Sequence, residues 1–200
     1  MNWQEKLTQL SLRRVGLLAT ATTGLRPEEG AEVIAVDMCA PQDDGTWGRA
    51  LLVRNDIDEQ KLNEAREYHK FDRMHLQSLG KSDLDFQTEL RQRLADRVWF
   101  TYNVPFQQSF LLNWVDDVEL ADLPLLVKMA DTARPQPDVY SLEELQRNAV
   151  QVLGRAPGFT WLCSNRQINP DAPPGVFPVR HAVRCLYELW QRLATQEFRE

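Results

Sequence analysis

Val15-Gly16-Leu17-Leu18-Ala19-Thr20-Ala21-Thr22-Thr23-Gly24-Leu25 is the stretch that decides how the chain is read. Its first part is a strand, with Val15, Leu17 and Leu18 apolar and small or β-branched residues after them. It breaks at Gly24, a residue that turns a chain at no steric cost. Working outward, three strands are expected: Arg14 to Ala21, Glu32 to Cys39 and Trp47 to Val53. The link Pro41-Gln42-Asp43-Asp44-Gly45 between the last two is a turn cluster of the hairpin kind.

Upstream, Met1 to Arg14 reads as a short helix, because Trp3, Leu7 and Leu10 fall on one stripe. It is expected to dock on the domain. Downstream, Asp58 to His69 reads as a helix with a solvated face. Ser82 to Ala95 is a second, capped by Ser82, with Leu84, Leu90 and Leu94 near one face. Val98 to Tyr102 is nearly all apolar or aromatic, as a buried central strand should be. Pro105 suits the first turn of the helix that follows. Ser141-Leu142-Glu143-Glu144 has the form of a capping box. Asn169 to Gly175 is a loop, and Val179 to Ala194 a last amphipathic helix. Strands first, then alternating helix and strand, predict one α/β domain.

Two hundred residues are enough for one domain with a real core. Cys39, Cys163 and Cys185 are scattered and form no Cys-x-x-Cys pair, which predicts free thiols in a reducing compartment. Met1 to Glu5 lacks the basic-then-apolar order of a signal peptide, and no long apolar run predicts a membrane span. The expected location is cytoplasmic. A net charge of −6 gives no global attraction to nucleic acid, so any such binding needs a local basic groove.

The opening stretch closely resembles the first motif of the DEDDh 3′–5′ exonucleases, the family of the proofreading epsilon subunit of bacterial DNA polymerase III. There the strand carries Asp, one residue, Glu, and then Thr-Thr-Gly-Leu. Thr22, Thr23, Gly24 and Leu25 match, but Ala19 and Ala21 stand in the carboxylate places. Tyr102-Asn103-Val104-Pro105-Phe106-Gln107-Gln108-Ser109-Phe110-Leu111 resembles the second motif, with Gln107 at the metal-binding Asp and Tyr102 at the usual His. Around the third motif the match is looser: His181 falls at the general base and Leu186 at the last Asp. Paired alanines resemble a laboratory inactivation. Gln107 and Leu186 do not, which favours a natural loss.

The resemblance implies a ribonuclease H-like fold with a mixed five-stranded sheet flanked by helices. Residues 1–14 would be a docked helix and 15–200 the domain. Family chemistry uses two Mg²⁺ or Mn²⁺ ions held by hard carboxylate oxygens, and a His that deprotonates the water. With Ala19, Ala21, Gln107 and Leu186 in the acid places, no catalytic set is intact and no metal cofactor is expected. His181 would be a relic, or simply a polar residue at a helix start. Thr22, Thr23, Gly24, Leu25, Asn103 and Phe106 would be the positions left to meet a nucleic-acid end. Each also has a structural reading: Gly24 and Asn103 as turn residues, Phe106 with Phe110 and Leu111 as core.

Two functions stay open. One is a degenerate exonuclease homologue that binds a single-stranded end, weakly, or a protein partner, with no membrane role. The other is an active 3′–5′ exonuclease with a rearranged metal site, for which Asp37, Asp43, Asp44, Asp116, Asp117 and Asp122 are the available acids, Asp116-Asp117 foremost.

Overall fold

The computed structural model describes residues 15–115, 118–130, 147, 150 and 158–195. The expected N-terminal helix and the Ser141 capping box lie outside them. The order begins β1 (Val15–Thr22), a 3₁₀ turn (Pro27–Glu29), β2 (Val33–Pro41) and β3 (Trp47–Arg54). Then come α1 (Glu59–Glu64), α2 (Arg66–His69), α3 (Arg73–Leu79), β4 (Gly80–Lys81) and α4 (Asp83–Leu94). After these follow β5 (Val98–Thr101), α5 (Val104–Leu111), β6 (Glu119–Asp122), α6 (Leu123–Ala130), α7 (Phe159–Asn165) and α8 (Pro178–Thr195).

The strands form one mixed sheet in the order β4-β3-β2-β1-β5-β6. β1, β2 and β3 run antiparallel, and β5 and β6 run parallel to β1. This is the expected α/β sheet flanked by helices, with six strands rather than five. The extra one, β4, is a two-residue strand on the outer edge of β3. Along β1 the side chains alternate between two apolar layers. Val15, Leu17, Ala19 and Ala21 share a layer with Val183, Leu186 and Trp190 of α8. Leu18 shares the other with Trp99, with Phe86, Leu90 and Leu94 of α4, and with Phe110 of α5.

Local differences from the expected pattern have physical causes. The helix expected over Asp58 to His69 breaks at Ala65. The re-aimed second turn tucks His69 into the interior, where Nε2 donates to the Leu62 carbonyl at 3.0 Å and Nδ1 accepts from the Phe71 N–H at 3.0 Å. That tautomer is neutral, and burial lowers the His69 pKa accordingly. In α4, Ser82 caps as expected, accepting from the Asp85 N–H. Leu84, however, is exposed, and the buried stripe is Phe86, Leu90 and Leu94. The helix α3 is an addition, opened by a capping box in which Asp72 and His75 bond each other's backbone N–H. Among the described residues no helix is long and apolar enough to cross a membrane.

Gly16 fixes the packing of β1 against β5. The two strands pair in parallel with Gly16 beside Trp99. A Cβ on Gly16 would lie 2.5 Å from the indole, whose Nε1 donates to the Leu94 carbonyl at 3.1 Å. The ring therefore lies flat where any other side chain would stand. Gly16→Ala is expected to lose about 1–3 kcal/mol in urea unfolding, the usual cost of forcing volume into a packed core. An unchanged midpoint would show that Trp99 can move aside freely.

Candidate functional site

At the C-terminal end of β1 the chain turns through Thr22, Thr23 and Gly24. A bulge shifts the pairing with β2 between Ala21 and Thr22. Thr22 Oγ1 donates to the Gly24 carbonyl at 2.6 Å. Thr23 donates its N–H to the Glu32 carbonyl at 2.9 Å, and its Oγ1 accepts from the Glu32 N–H at 2.9 Å. Both threonines thus hold the turn shut. Gly24 lies close to Ala31, where an added Cβ would meet another at 3.1 Å. Leu25, next along, is 80% exposed, unusual for a large apolar side chain on an otherwise tied-down turn.

The positions matching the family's acids do not all converge. Ala19, Ala21 and Leu186 lie in one apolar layer, where α8 closes over β1. Gln107 is fully buried, but it turns to the other side of the strand. Its Oε1 accepts from Thr20 Oγ1 at 2.8 Å, and Thr20 faces away from Ala19 and Ala21. The Gln107 Nε2 has no hydrogen-bond partner among the described residues. His181 is buried at the start of α8, where Nε2 donates to the Asn169 carbonyl at 2.7 Å. It ties down the Asn169 loop.

The second turn, after β5, has its own clip. Asn103 is exposed and left-handed, with φ +52°, a conformation that Asn tolerates better than most residues. Its carbonyl accepts from the Phe106 and Gln107 N–H groups. The Asp122 carboxylate accepts from the backbone N–H groups of Leu125, Val104 and Asn103, so one buried acid caps both α6 and α5. Burial pushes the Asp122 carboxyl up, and those three donors pull against the rise. Phe106 is half-buried with its ring 5.0 Å from that of Phe110, and Tyr102 stacks on Phe159 at 4.4 Å.

Asp37, fully buried, stands opposite Ala19 on β2. Its Oδ2 accepts from Arg49 Nε at 2.9 Å and Nη2 at 2.6 Å, and Arg180 of α8 approaches Oδ1 at 3.9 Å. Arg49 Nη2 also donates to the Arg180 carbonyl. Burial pushes the Asp37 carboxyl up, against the pull of Arg49 and then Arg180. Asp43 and Asp44 sit in the β2–β3 hairpin at the far end of the sheet, where Asp44 accepts from Thr46. Asp116 and Asp117 lie outside the described residues. Among the described residues no three His, Cys, Asp or Glu side chains are grouped to hold a metal ion. A two-metal centre does not fit Ala19, Ala21, Gln107 and Leu186: their one side-chain oxygen already accepts from Thr20, on the other face.

Sequence reasoning passed over two roles. The cap at Asp122 was signalled by Asp-Leu-Pro at a strand end, an N-cap residue with Pro in the next turn. The Asp37–Arg49–Arg180 contact joins three distant segments and carries no local signal.

Exonuclease I from Methylocaldum szegediense is 11% identical with a TM-score of 0.57, matching 93% of this chain and 42% of its own. The fold is exonuclease-like. Escherichia coli exonuclease I in complex with a dT13 oligonucleotide is 9% identical with a TM-score of 0.55, over 92% of this chain and 42% of its own. A chain of the yeast NOT1 MIF4G domain–CAF1 co-crystal is 14% identical with a TM-score of 0.55, over 97% and 85%. The protein thus spans less than half of the exonuclease I chains. No family model and no curated relative matches it.

The Thr20–Gln107 contact predicts a non-additive pair. Thr20→Val alone leaves the buried Gln107 amide with neither bond made and is expected to cost about 1–3 kcal/mol. Adding Gln107→Met removes both polar partners, so the double variant should recover most of that loss in a denaturation cycle. Additive losses would show that Gln107 has another partner.

Proposed function

We propose that this chain is a catalytically silent relative of the DEDDh 3′–5′ exonucleases that works as a binding module for a single-stranded nucleic-acid end. The observation that carries the reading is the split between turn and centre. The Thr22–Leu25 turn is held by its own hydrogen bonds and presents Leu25 to solvent. The centre it overlooks is apolar, with Ala19, Ala21 and Leu186 under α8. Exonuclease I, whose fold is similar, has been crystallised with oligonucleotides. A protein partner is the second reading. It is favoured by the same exposed Leu25 together with the scarcity of free cations near the turn: Arg26 is paired with Glu29, and Lys61 with Glu32. In either case the reading includes no metal cofactor.

An active enzyme with a rearranged site finds less support. Asp37 is held by Arg49 and approached by Arg180, Asp122 caps backbone N–H groups, and among the described residues no group of three acids, His or Cys stands ready to hold a metal ion.

In the nucleic-acid reading Leu25 packs on a base, and such contacts are worth ~1–3 kcal/mol. Leu25→Ala should therefore weaken binding of a short fluorescent oligonucleotide by about tenfold in anisotropy titrations. It should leave stability nearly unchanged, because the side chain is exposed. Binding should also fall as salt rises. No binding by either protein at low salt removes the nucleic-acid reading and leaves the protein partner.

A further inference from the structure

Two of the three cysteines meet where α7 packs on α8. Cys163 lies on α7 and Cys185 on α8, both in the apolar layer that holds Ala19, Ala21 and Leu186. The chain between them is pinned in a way that brings them together. The Cys163 carbonyl accepts from the N–H groups of Arg166 at 3.0 Å and Ile168 at 2.9 Å, which curls the end of α7 back. The next residue, Asn169, turns its carbonyl to α8 and accepts from His181 Nε2 at 2.7 Å and Cys185 Sγ at 3.4 Å. Arg192 of α8 donates to the Arg166 carbonyl. Between these ties the two thiols hydrogen-bond each other. A relay of S–H groups thus runs from Cys163 to Cys185 to the Asn169 carbonyl.

All three cysteines are free thiols in this structure. The bond between Cys163 and Cys185 pushes the Cys163 thiol up and draws the Cys185 thiol down, so Cys185 is the sulfur that ionises first. The thiolate is the nucleophile in thiol chemistry. Cys163 is 0% exposed and Cys185 1%, so a reactant must be small and must enter as α7 opens locally. Burial then works the other way. A sulfenic acid formed at Cys185 has a thiol against it and is shielded from bulky reductants.

We propose that Cys163 and Cys185 are a peroxide-sensitive pair that closes to a disulfide and locks α7 onto α8. The Cys185 thiolate attacks one oxygen of hydrogen peroxide, the O–O bond breaks, and the leaving hydroxide takes up a proton as the first water. The Cys163 sulfur then displaces the hydroxyl from Cys185, and the Cys163 proton leaves with it as the second. Two thiols lose two electrons and two protons, and one peroxide becomes two waters. The Asn169 carbonyl loses its bond from Cys185 but keeps the one from His181, so the step orphans no buried acceptor there. The lock joins the helix that carries Phe159, stacked on Tyr102, to the helix that closes over β1 with Leu186. It does not depend on what the Leu25 turn binds.

The test uses the full chain, reduced, desalted and treated with hydrogen peroxide. It is then denatured, alkylated with N-ethylmaleimide, digested and mapped by mass spectrometry. The expected product is the Cys163 peptide joined to the Cys185 peptide, with Cys39 outside the link. The oxidised protein should melt higher than the reduced one by roughly 5–10 °C, since the bond closes a short loop. Cys163→Ala and Cys185→Ala should each abolish that rise, and Cys39→Ala should keep it. If an alanine variant fails to fold, the peptide map and melting of the unsubstituted chain decide alone. Thiols that stay open to alkylation, sulfinic acid in place of the link, or a link that leaves the melting point unchanged overturns the proposal.

Discussion

β1 sits between β2 and β5 and is covered on both faces, so every residue from Val15 to Ala21 is buried. A charge on such a strand must be matched locally, because an unpaired buried ion costs several kcal/mol even after relaxation. Asp37, one strand away, shows what matching requires: two hydrogen bonds from Arg49 and the approach of Arg180. At Ala19 and Ala21 no such partner is needed. Side chains this small and neutral let α8 close directly on the strand through Val183, Leu186 and Trp190. The same crowding on the opposite face requires Gly16, because Trp99 occupies the space of its Cβ.

The buried polar groups around Ala19 and Gln107 share one character: each is already used to fix the chain. His181 anchors the Asn169 carbonyl, Asp122 clips two helix starts, and Thr23 closes the turn with Glu32. Gln107 bonds Thr20, across the strand from the two alanines. A hydrolytic centre needs groups free to hold a metal, a water and a phosphate together. What these residues supply instead is a rigid pair of turns, with Leu25 and Asn103 exposed on them. Such a pair of turns suits the binding role proposed for this chain.

Much of this was legible in the sequence where the signal is local. The strand-to-Gly24 pattern, the Pro41–Gly45 hairpin and the Ser82 cap all carry their physics within a few residues, and each is present. β6 gave no signal because Glu-Leu-Ala-Asp has neither the length nor the alternation of an obvious strand; pairing to β5 makes it one. Leu84 was misplaced for a related reason. Helical spacing alone did not choose between Leu84 and Phe86, and the neighbouring sheet selects Phe86. At the site, motif spacing located Gln107 on the right helix but could not reveal which face of β1 it meets. That depends on a tertiary contact 87 residues apart.

The central proposal is that this chain, with its exonuclease-like fold, does not hydrolyse nucleic acid. The most direct measurement is incubation of the purified protein with 5′-labelled single-stranded DNA and RNA in Mg²⁺ and, separately, Mn²⁺, resolved at single-nucleotide spacing. The account predicts that every strand keeps its full length over the time course. Stepwise shortening from the 3′ end that survives repurification and stops with EDTA would contradict it.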